Sequence, residues 1–434
     1  MEPVTPEPGT WDGAPLRIAY VLGTTAGGTG RHVAMLAQGC AARGMVVRVF
    51  GPAETAHRYF PGPRDPGGQD PAPRDPEVRD PGVEDPGVRD PGVEDPGGTD
   101  GSGDGLARAP GFAVVAIGDR PRPGPDLAAV LRLRRLLRAW APDVVHAHGL
   151  RAGAFAALAA GPGALVVTVH NAPPAAAPAR VVHAALERLT ARRADAVTWV
   201  SGDLGARMRR AGARDAGRAV VAAPAFPVPS ADQVAAARAS LADGGHPAVF
   251  AAGRLTAQKG FDVLIDAAAR WQSRRPVPVL AIAGEGPLAG ELGARAGAAG
   301  VSVRFLGRRG DIPALMAAAD VVVVPSRWEG QPLVVQEALR AGRPVVASRV
   351  GGIPGLTGED GALLVPPGDA TALASAVLTV LDDRAAAARL ETAATERARA
   401  LPGVSDAVDS AVALYAGLRR SAASQTGQQM RNRS

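Results

Sequence analysis

Two carboxylates, Glu329 and Glu337, stand eight positions apart in the segment WEGQPLVVQEALRAGRPVV. On one helix, eight steps of about 100° would leave the side chains about 80° apart, so they would not stack as a catalytic pair. Pro332 and Gly342 suit the two ends of a helix of roughly three turns, which would hold Glu337 and leave Glu329 in the preceding loop. The N-terminus of such a helix favours phosphate. We therefore expect an elongated ligand, held at its phosphates by the helix and at its hydroxyls by the acids.

A second segment, FAAGRLTAQKGFDVLI, places Arg254 and Lys259 in a loop between a predicted strand and a predicted helix. Lys259 is the single lysine among 48 lysines and arginines, which makes it a candidate for a site that needs a compact ammonium group. Two cations here could hold a diphosphate and neutralise its charge as it leaves. The alternative is a pair of ordinary solvated loop cations. Downstream, IAGEGPL ends a strand in a tight turn of Gly284, Glu285 and Gly286.

A glycine-rich loop in VLGTTAGGTGRHV contains Gly27 and Gly28 between a predicted strand and a predicted helix. Glycines let a phosphate approach the backbone closely at a helix N-terminus. The spacing does not match the dinucleotide-binding pattern, because Val33 occupies the last glycine position of a pattern that starts at Gly28. The second strand also ends without an acid for a ribose. These features disfavour a nicotinamide enzyme.

The segment DVVHAHG places His146 and His148 two positions apart at the end of a predicted strand, so that both rings project from one face. A metal site built on this pair needs a third ligand, and no nearby Asp-x-Asp motif or cysteine supplies one. The pair therefore favours structural or acceptor-side contacts over a metal site.

The composition is typical of a globular protein, with 434 residues and 46% hydrophobic content, which predict two or three domains. The N-terminal segment has no apolar run, so we expect neither a signal peptide nor a membrane span, and a cytoplasmic location. The single cysteine, Cys40, favours a small buried apolar position. A net charge of +6 with 4% aromatics argues against nucleic acid as a partner. A peripheral contact of a basic face with anionic lipid at the inner face of the plasma membrane is left open.

The chain divides into two series of β-rich runs that alternate with helical stretches, which predicts two doubly wound α/β domains with parallel sheets of five or six strands. An Asp-Pro repeat at residues 61–105 cannot bury a core and is predicted to be a disordered insert. Ligands of such sheets bind at the carboxyl ends of the strands, here in a cleft between the domains. The predicted boundaries are a tail at 1–14, a first domain at 15–225, a second domain at 226–403, a helix at 404–422 and a disordered tail at 423–434.

Several segments together resemble one known family. GRLTAQKGFDVLI, GEGPL, FLGRRGDIPALMAAADVVVVPS, EGQPLVVQEALRAGRPVVASRVGGIP and GALLVPPGD are similar to the retaining, nucleotide-sugar-dependent glycosyltransferases of family 4, which have the GT-B fold. GGTGRHV, PDVVHAHG, VVTVHN and ADAVTWVS are similar to the first domain of the same family. The resemblance implies two Rossmann-like domains that face a cleft. It also implies transfer of a sugar to an acceptor hydroxyl with retention of configuration, without a metal ion or a cofactor, because the nucleoside-diphosphate sugar is a substrate.

The resemblance also implies a role for individual residues. Arg254 and Lys259 would bind the donor diphosphate, Glu337 the nucleotide ribose and Glu329 the hydroxyls of the transferred sugar, with His170 near the anomeric centre. The implied catalytic residues are Glu329, His170, Lys259 and Arg254. The implied donor-binding residues are Gly27, Gly28, Gly253, Arg254, Lys259, Gly284, Glu285, Gly286, Glu329, Gly330, Leu333, Val334 and Glu337.

This chain departs from the family where Gln331 and Pro332 replace a common Phe-Gly pair. Proline lacks an N–H, so one donor to the ligand is lost, although those of Leu333 and Val334 remain. A lost charge-assisted hydrogen bond is worth about 1.5–3 kcal/mol, enough to alter affinity or sugar preference. The donor's base and sugar therefore stay open, as does an acceptor among lipids, soluble cyclitols and other small molecules. Two rival functions are a non-catalytic or regulatory protein of this fold and, with less support, a sugar-nucleotide epimerase.

Overall fold

The computed structural model describes residues 15–25, 27–60, 109–170, 172, 177–213, 216–224, 227–243 and 245–431. The predicted N-terminal tail at 1–14 and the Asp-Pro insert at 61–105 lie outside these ranges. Within the described residues, two parallel sheets form two α/β units, as predicted.

The first sheet has seven described strands in the order β3-β2-β1-β4-β5-β6-β7. The strands are β1 (Arg17–Leu22), β2 (Val46–Gly51), β3 (Gly111–Val114), β4 (Val144–His148), β5 (Ala164–Val169), β6 (Ala196–Trp199) and β7 (Ala216–Arg218). The helices between them are α1 (Gly28–Ala42), α2 (Ala53–Tyr59), α3 (Pro123–Trp140), α4 (Leu150–Ala159), α5 (Ala177–Arg193) and α6 (Gly202–Ala211).

The second sheet has six described strands in the order β10-β9-β8-β11-β12-β13. The strands are β8 (Ala248–Ala252), β9 (Val279–Ala283), β10 (Val303–Gly307), β11 (Val321–Val324), β12 (Val345–Ser348) and β13 (Leu363–Val365). The helices of this half are α7 (Ala231–Leu241), α8 (Phe261–Ala269), α9 (Ala289–Ala298), α10 (Ile312–Ala318), α11 (Leu333–Arg340), α12 (Ile353–Thr357), α13 (Ala370–Asp382) and α14 (Arg384–Ala400), and the chain ends in α15 (Val404–Arg431).

Both sheets reverse their strand order at a switch point, between β1 and β4 in the first and between β8 and β11 in the second. Helices cover both faces, so central strands such as β11 are continuous apolar runs with every residue buried. The loops that follow the strands open at the switch points, where ligands of doubly wound sheets bind. The edge strands β7 and β13 were not predicted, because each has three residues and β7 reads Ala-Gly-Arg, with no apolar pattern.

The last helix returns to the first sheet. Tyr415 of α15 is buried, and its hydroxyl lies 3.0 Å from the Tyr20 hydroxyl of β1 and 2.6 Å from His146 Nδ1. The helix runs to Arg431, so the prediction of disorder from residue 423 is wrong as far as residue 431. The segment at 423–431, ASQTGQQMR, contains no proline, and its alanine, glutamine, methionine and arginine favour helix despite Gly427. No helix in the described ranges is long and apolar enough to cross a bilayer.

Candidate active site

A cleft of about 890 Å³ lies between the two halves and is lined by the loops that follow their strands. The structure brings all the residues that the sequence analysis assigned to the site into this one cleft. They are Gly27, Gly28, His170, Gly253, Arg254, Lys259, Gly284, Glu285, Gly286, Glu329, Gly330, Leu333, Val334 and Glu337. Arg31, Tyr59, Arg308 and Arg309 line it as well.

Lys259, which lines the cleft, forms an ion pair with Glu329. Lys259 ends a single 3-10 turn, Ala257–Lys259, after β8, and its Nζ lies 2.5 Å from Glu329 Oε1. The Ser326 hydroxyl donates to the same oxygen at 2.7 Å. Glu329 is 5% exposed, so its carboxylate is buried and oriented by two donors. Arg254 is exposed to the cleft and has no ion pair within the described part of the chain, which leaves its guanidinium available to an anionic ligand.

Two glycines allow the loops of the second domain to meet without side chains between them. At Gly284, with φ of 146°, a Cβ would lie 1.9 Å from the Gly253 carbonyl oxygen. At Gly351, with φ of 51°, a Cβ would lie 1.6 Å from the carbonyl oxygen of Glu329. Only glycine suits both the positive φ and the close approach. These contacts therefore hold the backbone that carries Glu329.

The second acid lies inside α11, whereas Glu329 precedes that helix, as predicted. The helix has eight residues, about two turns rather than three, because Pro332 stands at the N-cap instead of in the first turn and Gly342 follows the end with φ of 63°. Burial raises the pKa of Glu337, while Arg31 and Arg340 act in the opposite direction. Its carboxylate is 8% exposed, and Arg31 Nη1 of α1 lies 3.4 Å from Oε1. An arginine of the first domain thus reaches an acid of the second.

The Tyr59 hydroxyl is hydrogen-bonded to the backbone of the glycine-rich loop that contains Gly27. The hydroxyl accepts a hydrogen bond from Gly27 N–H at 2.6 Å and donates to the Gly27 carbonyl oxygen at 3.2 Å. Gly30 makes room for the ring, since a Cβ there would lie 2.2 Å from it. The N–H of Gly27, a residue that the resemblance assigns to donor binding, is therefore engaged by Tyr59 here. The sequence carried no signal for this contact, because Tyr59 lies in α2 and 32 positions from Gly27.

Four buried histidines, His32, His146, His148 and His170, form a cluster, of which His32 and His170 also line the cleft. His148 Nδ1 lies 3.0 Å from His170 Nε2, and His146 bonds through Nε2 to the Thr168 hydroxyl at 2.7 Å. Burial lowers the pKa of His32 to about 4 and that of His146 to about 3, with His32 adding to the effect on His146. The cluster is therefore neutral at pH 7. Among the described residues, no group of three or more His, Cys, Asp or Glu is arranged to hold a metal ion.

The departure at Gln331 has a structural role. Its Nε2 donates to the Val221 carbonyl oxygen at 3.1 Å, and Gln336 Nε2 of α11 donates to the same oxygen at 3.0 Å. Val221 lies in the segment that leads from the first domain to the second. Next to Gln331, a Cβ at Gly330 would lie 2.7 Å from the carbonyl oxygen of His170. The loop that precedes α11 in the second domain is therefore in direct contact with the first domain.

Comparison with known families agrees with this architecture. The model of the glycosyl transferases group 1 matches residues 246–383, and the model of the glycosyl transferase 4-like domain matches residues 27–225. The chain belongs to the group 1 glycosyltransferases, of family 4 type. In this glycosyltransferase the first matched segment contains strands β2 to β7 and the second contains strands β8 to β13, and each segment contributes residues to the lining of the cleft.

Several relatives resemble parts of this glycosyltransferase. Glycogen synthase of Mycobacterium tuberculosis H37Rv is 34% identical over 62% of this chain and 68% of its own. The 2-deoxystreptamine glucosyltransferase of Streptomyces kanamyceticus is 30% identical over 59% of this chain and 73% of its own. The alpha-D-kanosaminyltransferase of the same organism is 34% identical, but the match spans 46% of its length.

Two solved structures share the fold. Anabaena HepE in complex with UDP-glucose has a TM-score of 0.70 at 20% identity and covers 93% of this chain and 100% of its own. Sucrose-phosphate synthase from Thermosynechococcus elongatus has a TM-score of 0.69 at 22% identity and covers 94% of this chain and 100% of its own. Both likenesses concern the GT-B fold.

Proposed function

We propose that this chain transfers a glycosyl group from a nucleoside-diphosphate sugar to an acceptor hydroxyl, with retention of anomeric configuration and without a metal ion. The observation that carries the proposal is the pairing of cations with buried carboxylates in one cleft. Lys259 and Arg254 line the same cleft as Leu333 and Val334 at the start of α11, while Glu329 precedes that helix and Glu337 lies inside it. A diphosphate with a sugar at each end has this distribution of charge and hydroxyls.

In this proposal the donor lies along the second domain. Its diphosphate meets Lys259, Arg254 and the free N–H groups at the start of α11, where the helix dipole also favours negative charge. The ribose hydroxyls donate to Glu337, which has acceptor capacity because Arg31 at 3.4 Å is the one hydrogen-bond partner of its carboxylate among the described residues. The transferred sugar lies at Glu329.

In the proposed reaction Glu329 orients the transferred sugar without attacking its anomeric carbon. Lys259 and Ser326 both bond Oε1 and fix the carboxylate, and Oε2, which has no hydrogen-bond partner among the described residues, is left to accept from the sugar hydroxyls. The bond from that carbon to the diphosphate breaks, a bond to the acceptor oxygen forms on the same face, and the acceptor's proton passes to a diphosphate oxygen. Lys259 and Arg254 stabilise the charge on the leaving group, the role that a metal ion fills elsewhere.

The relatives suggest which substrates to test first. HepE was solved with UDP-glucose, and two of the relatives are named as an alpha-D-kanosaminyltransferase and a 2-deoxystreptamine glucosyltransferase. We therefore propose a UDP-sugar as the first donor and a sugar or cyclitol hydroxyl as the first acceptor. A membrane lipid acceptor belongs in the same panel, because the sequence left it open.

A thermal-shift panel of UDP-, GDP-, ADP- and TDP-sugars tests the donor site, since selective binding to the folded state raises the melting temperature. One donor is expected to stabilise the wild type and to lose that effect in Lys259→Ala. Arg270→Ala is the matched control, because it removes an exposed cation of the same domain that does not line the cleft. A chelator should leave transfer unchanged. The proposal fails if no nucleotide sugar stabilises the wild type, and the non-catalytic alternative then takes its place.

A further inference from the structure

His148 touches His170 but has no contact with the cleft of its own. It ends β4, is 3% exposed, and its Nδ1 lies 3.0 Å from His170 Nε2. Its other ring nitrogen, Nε2, is buried without a hydrogen-bond partner among the described residues. The surrounding groups are rings, with centroids of His146, Tyr20 and His32 at 4.1, 5.8 and 5.9 Å.

Both histidines are neutral. Burial, together with the neighbouring histidines, holds the pKa of His148 and of His170 well below the usual value. A neutral imidazole carries one N–H and one bare nitrogen. Since His148 Nδ1 and His170 Nε2 face each other at hydrogen-bond distance, one of them carries a hydrogen and the other accepts it. Two arrangements of the hydrogens satisfy this condition.

In the first arrangement, His170 donates from Nε2 to His148 Nδ1. His148 must then carry its own hydrogen on Nε2, which would be a buried N–H with no acceptor among the rings around it. Buried donors without a partner are rare in folded proteins, rarer than acceptors with spare capacity. In the second arrangement, His148 donates from Nδ1 and its Nε2 is bare, while the hydrogen of His170 lies on Nδ1, which is not among the fully buried atoms without a partner. The geometry favours the second.

We propose that His148 is a positioning residue that donates to His170 Nε2 and thereby holds His170 with its hydrogen on Nδ1. His170 lines the cleft, and its Nδ1 has no partner among the described residues. His170 consequently offers an N–H to an oxygen of the ligand, a sugar hydroxyl or a phosphate oxygen. It offers no lone pair to the acceptor's proton, which is then left to the diphosphate.

The contact of the His170 N–H with a ligand rests on the proposed function, whereas the position of the hydrogens on His148 and His170 does not. Heteronuclear NMR of protein labelled in its histidine rings distinguishes the two tautomers directly, and His170→Gln identifies the His170 signals by their loss. The proposal expects the Nδ1–H tautomer for His170 in the donor-free wild type. The Nε2–H tautomer would overturn it, whatever substrate the enzyme uses.

Two variants extend the test to activity. In His148→Asn the amide nitrogen can take the place of Nδ1 as donor, and in His148→Leu a side chain of similar size has none. We expect His148→Asn to keep the tautomer and to keep kcat within about two-fold, while His148→Leu releases the tautomer and lowers kcat roughly ten-fold. Equal kcat values for the two variants would overturn the positioning role.

The failure of this inference is distinguishable from the failure of the proposed function. If the enzyme transferred no sugar at all, the wild-type spectrum would still decide the tautomer. If the spectrum showed Nε2–H, the donor panel with Lys259→Ala would be unaffected.

Discussion

Lys259 and Glu329 form an ion pair in the cleft, and a double-mutant cycle measures its coupling energy. Lys259→Met removes the charge and keeps the length of the side chain. Glu329 is 5% exposed and would keep only the Ser326 hydroxyl as a partner. Removing one partner of a buried ion pair costs about 3–5 kcal/mol. Because the Lys259 side chain is 22% exposed, we expect a loss nearer about 2–3 kcal/mol.

The double variant Lys259→Met/Glu329→Gln removes both charges and leaves an amide that can still bond Ser326. Its free energy of unfolding should return to within about 1 kcal/mol of the wild type, since no unpaired charge is buried. Donor binding should not return, because in the proposed site the diphosphate would have lost its cation and the sugar its carboxylate. Denaturant unfolding gives the stabilities, and donor titration gives the affinities. Arg270→Met provides the control for removal of an exposed charge.

The reasoning is refuted if the two single changes simply add. Independent sites add to within about 0.5 kcal/mol, so a smaller coupling energy would mean that the pair does not form in the donor-free protein. Recovery of donor binding in the double variant would refute the assignment of the two residues to the ligand.

Three further outcomes are expected. Gly330→Ala should raise KM for the donor and separate the domains, because its Cβ would lie 2.7 Å from a carbonyl oxygen of the first domain. An unchanged small-angle scattering profile together with an unchanged KM would contradict this. Burial raises the pKa of Glu337, and the charge of Arg31 lowers it, so Arg31→Gln should raise this pKa further and move the acidic limb of kcat/KM for the donor to higher pH. Arg31→Lys should restore the profile. Burial lowers the pKa of His32 to about 4 and that of His146 to about 3, whereas an unfolded histidine has a pKa of about 6.5. The stability that comes from keeping the two rings neutral is therefore complete above about pH 6.5 and is lost as the pH falls below it. At about pH 5.5 each of the two histidines lowers the free energy of unfolding by about 1.4 kcal/mol. Urea unfolding that shows no such loss would contradict their burial as neutral rings.

Much of the fold was predictable from local pattern. The central strands are buried on both faces, so they are continuous apolar runs that stand out from helical stretches. Turns marked by glycine and proline follow these strands, and parallel sheets bring all such turns to one edge. For that reason the local pattern correctly grouped Gly284, Lys259 and Glu329 in one cleft, although they are far apart in the chain.

The contacts that were missed depend on tertiary structure. Arg31 and Glu337 are 306 positions apart, and neither has a neighbour in sequence that points to the other. The bond between Tyr59 and Gly27 depends on the angle at which α2 packs against α1. The extent of α15 beyond residue 422 was missed because a polar, weakly periodic segment was interpreted as disorder. A Cβ at Gly30 would not fit beside the Tyr59 ring. This constraint arises only in the folded chain, so the local sequence does not predict it.

The most direct test of the account is the anomeric configuration of a transferred sugar. The wild type and Lys259→Met are incubated with the UDP-sugar that stabilises the protein and with a cyclitol acceptor, and proton NMR reads the new linkage. The account predicts an α-linked product from an α-configured donor, formed in the presence of a chelator and lost in Lys259→Met. A β-linked product, or full transfer by Lys259→Met, would contradict it.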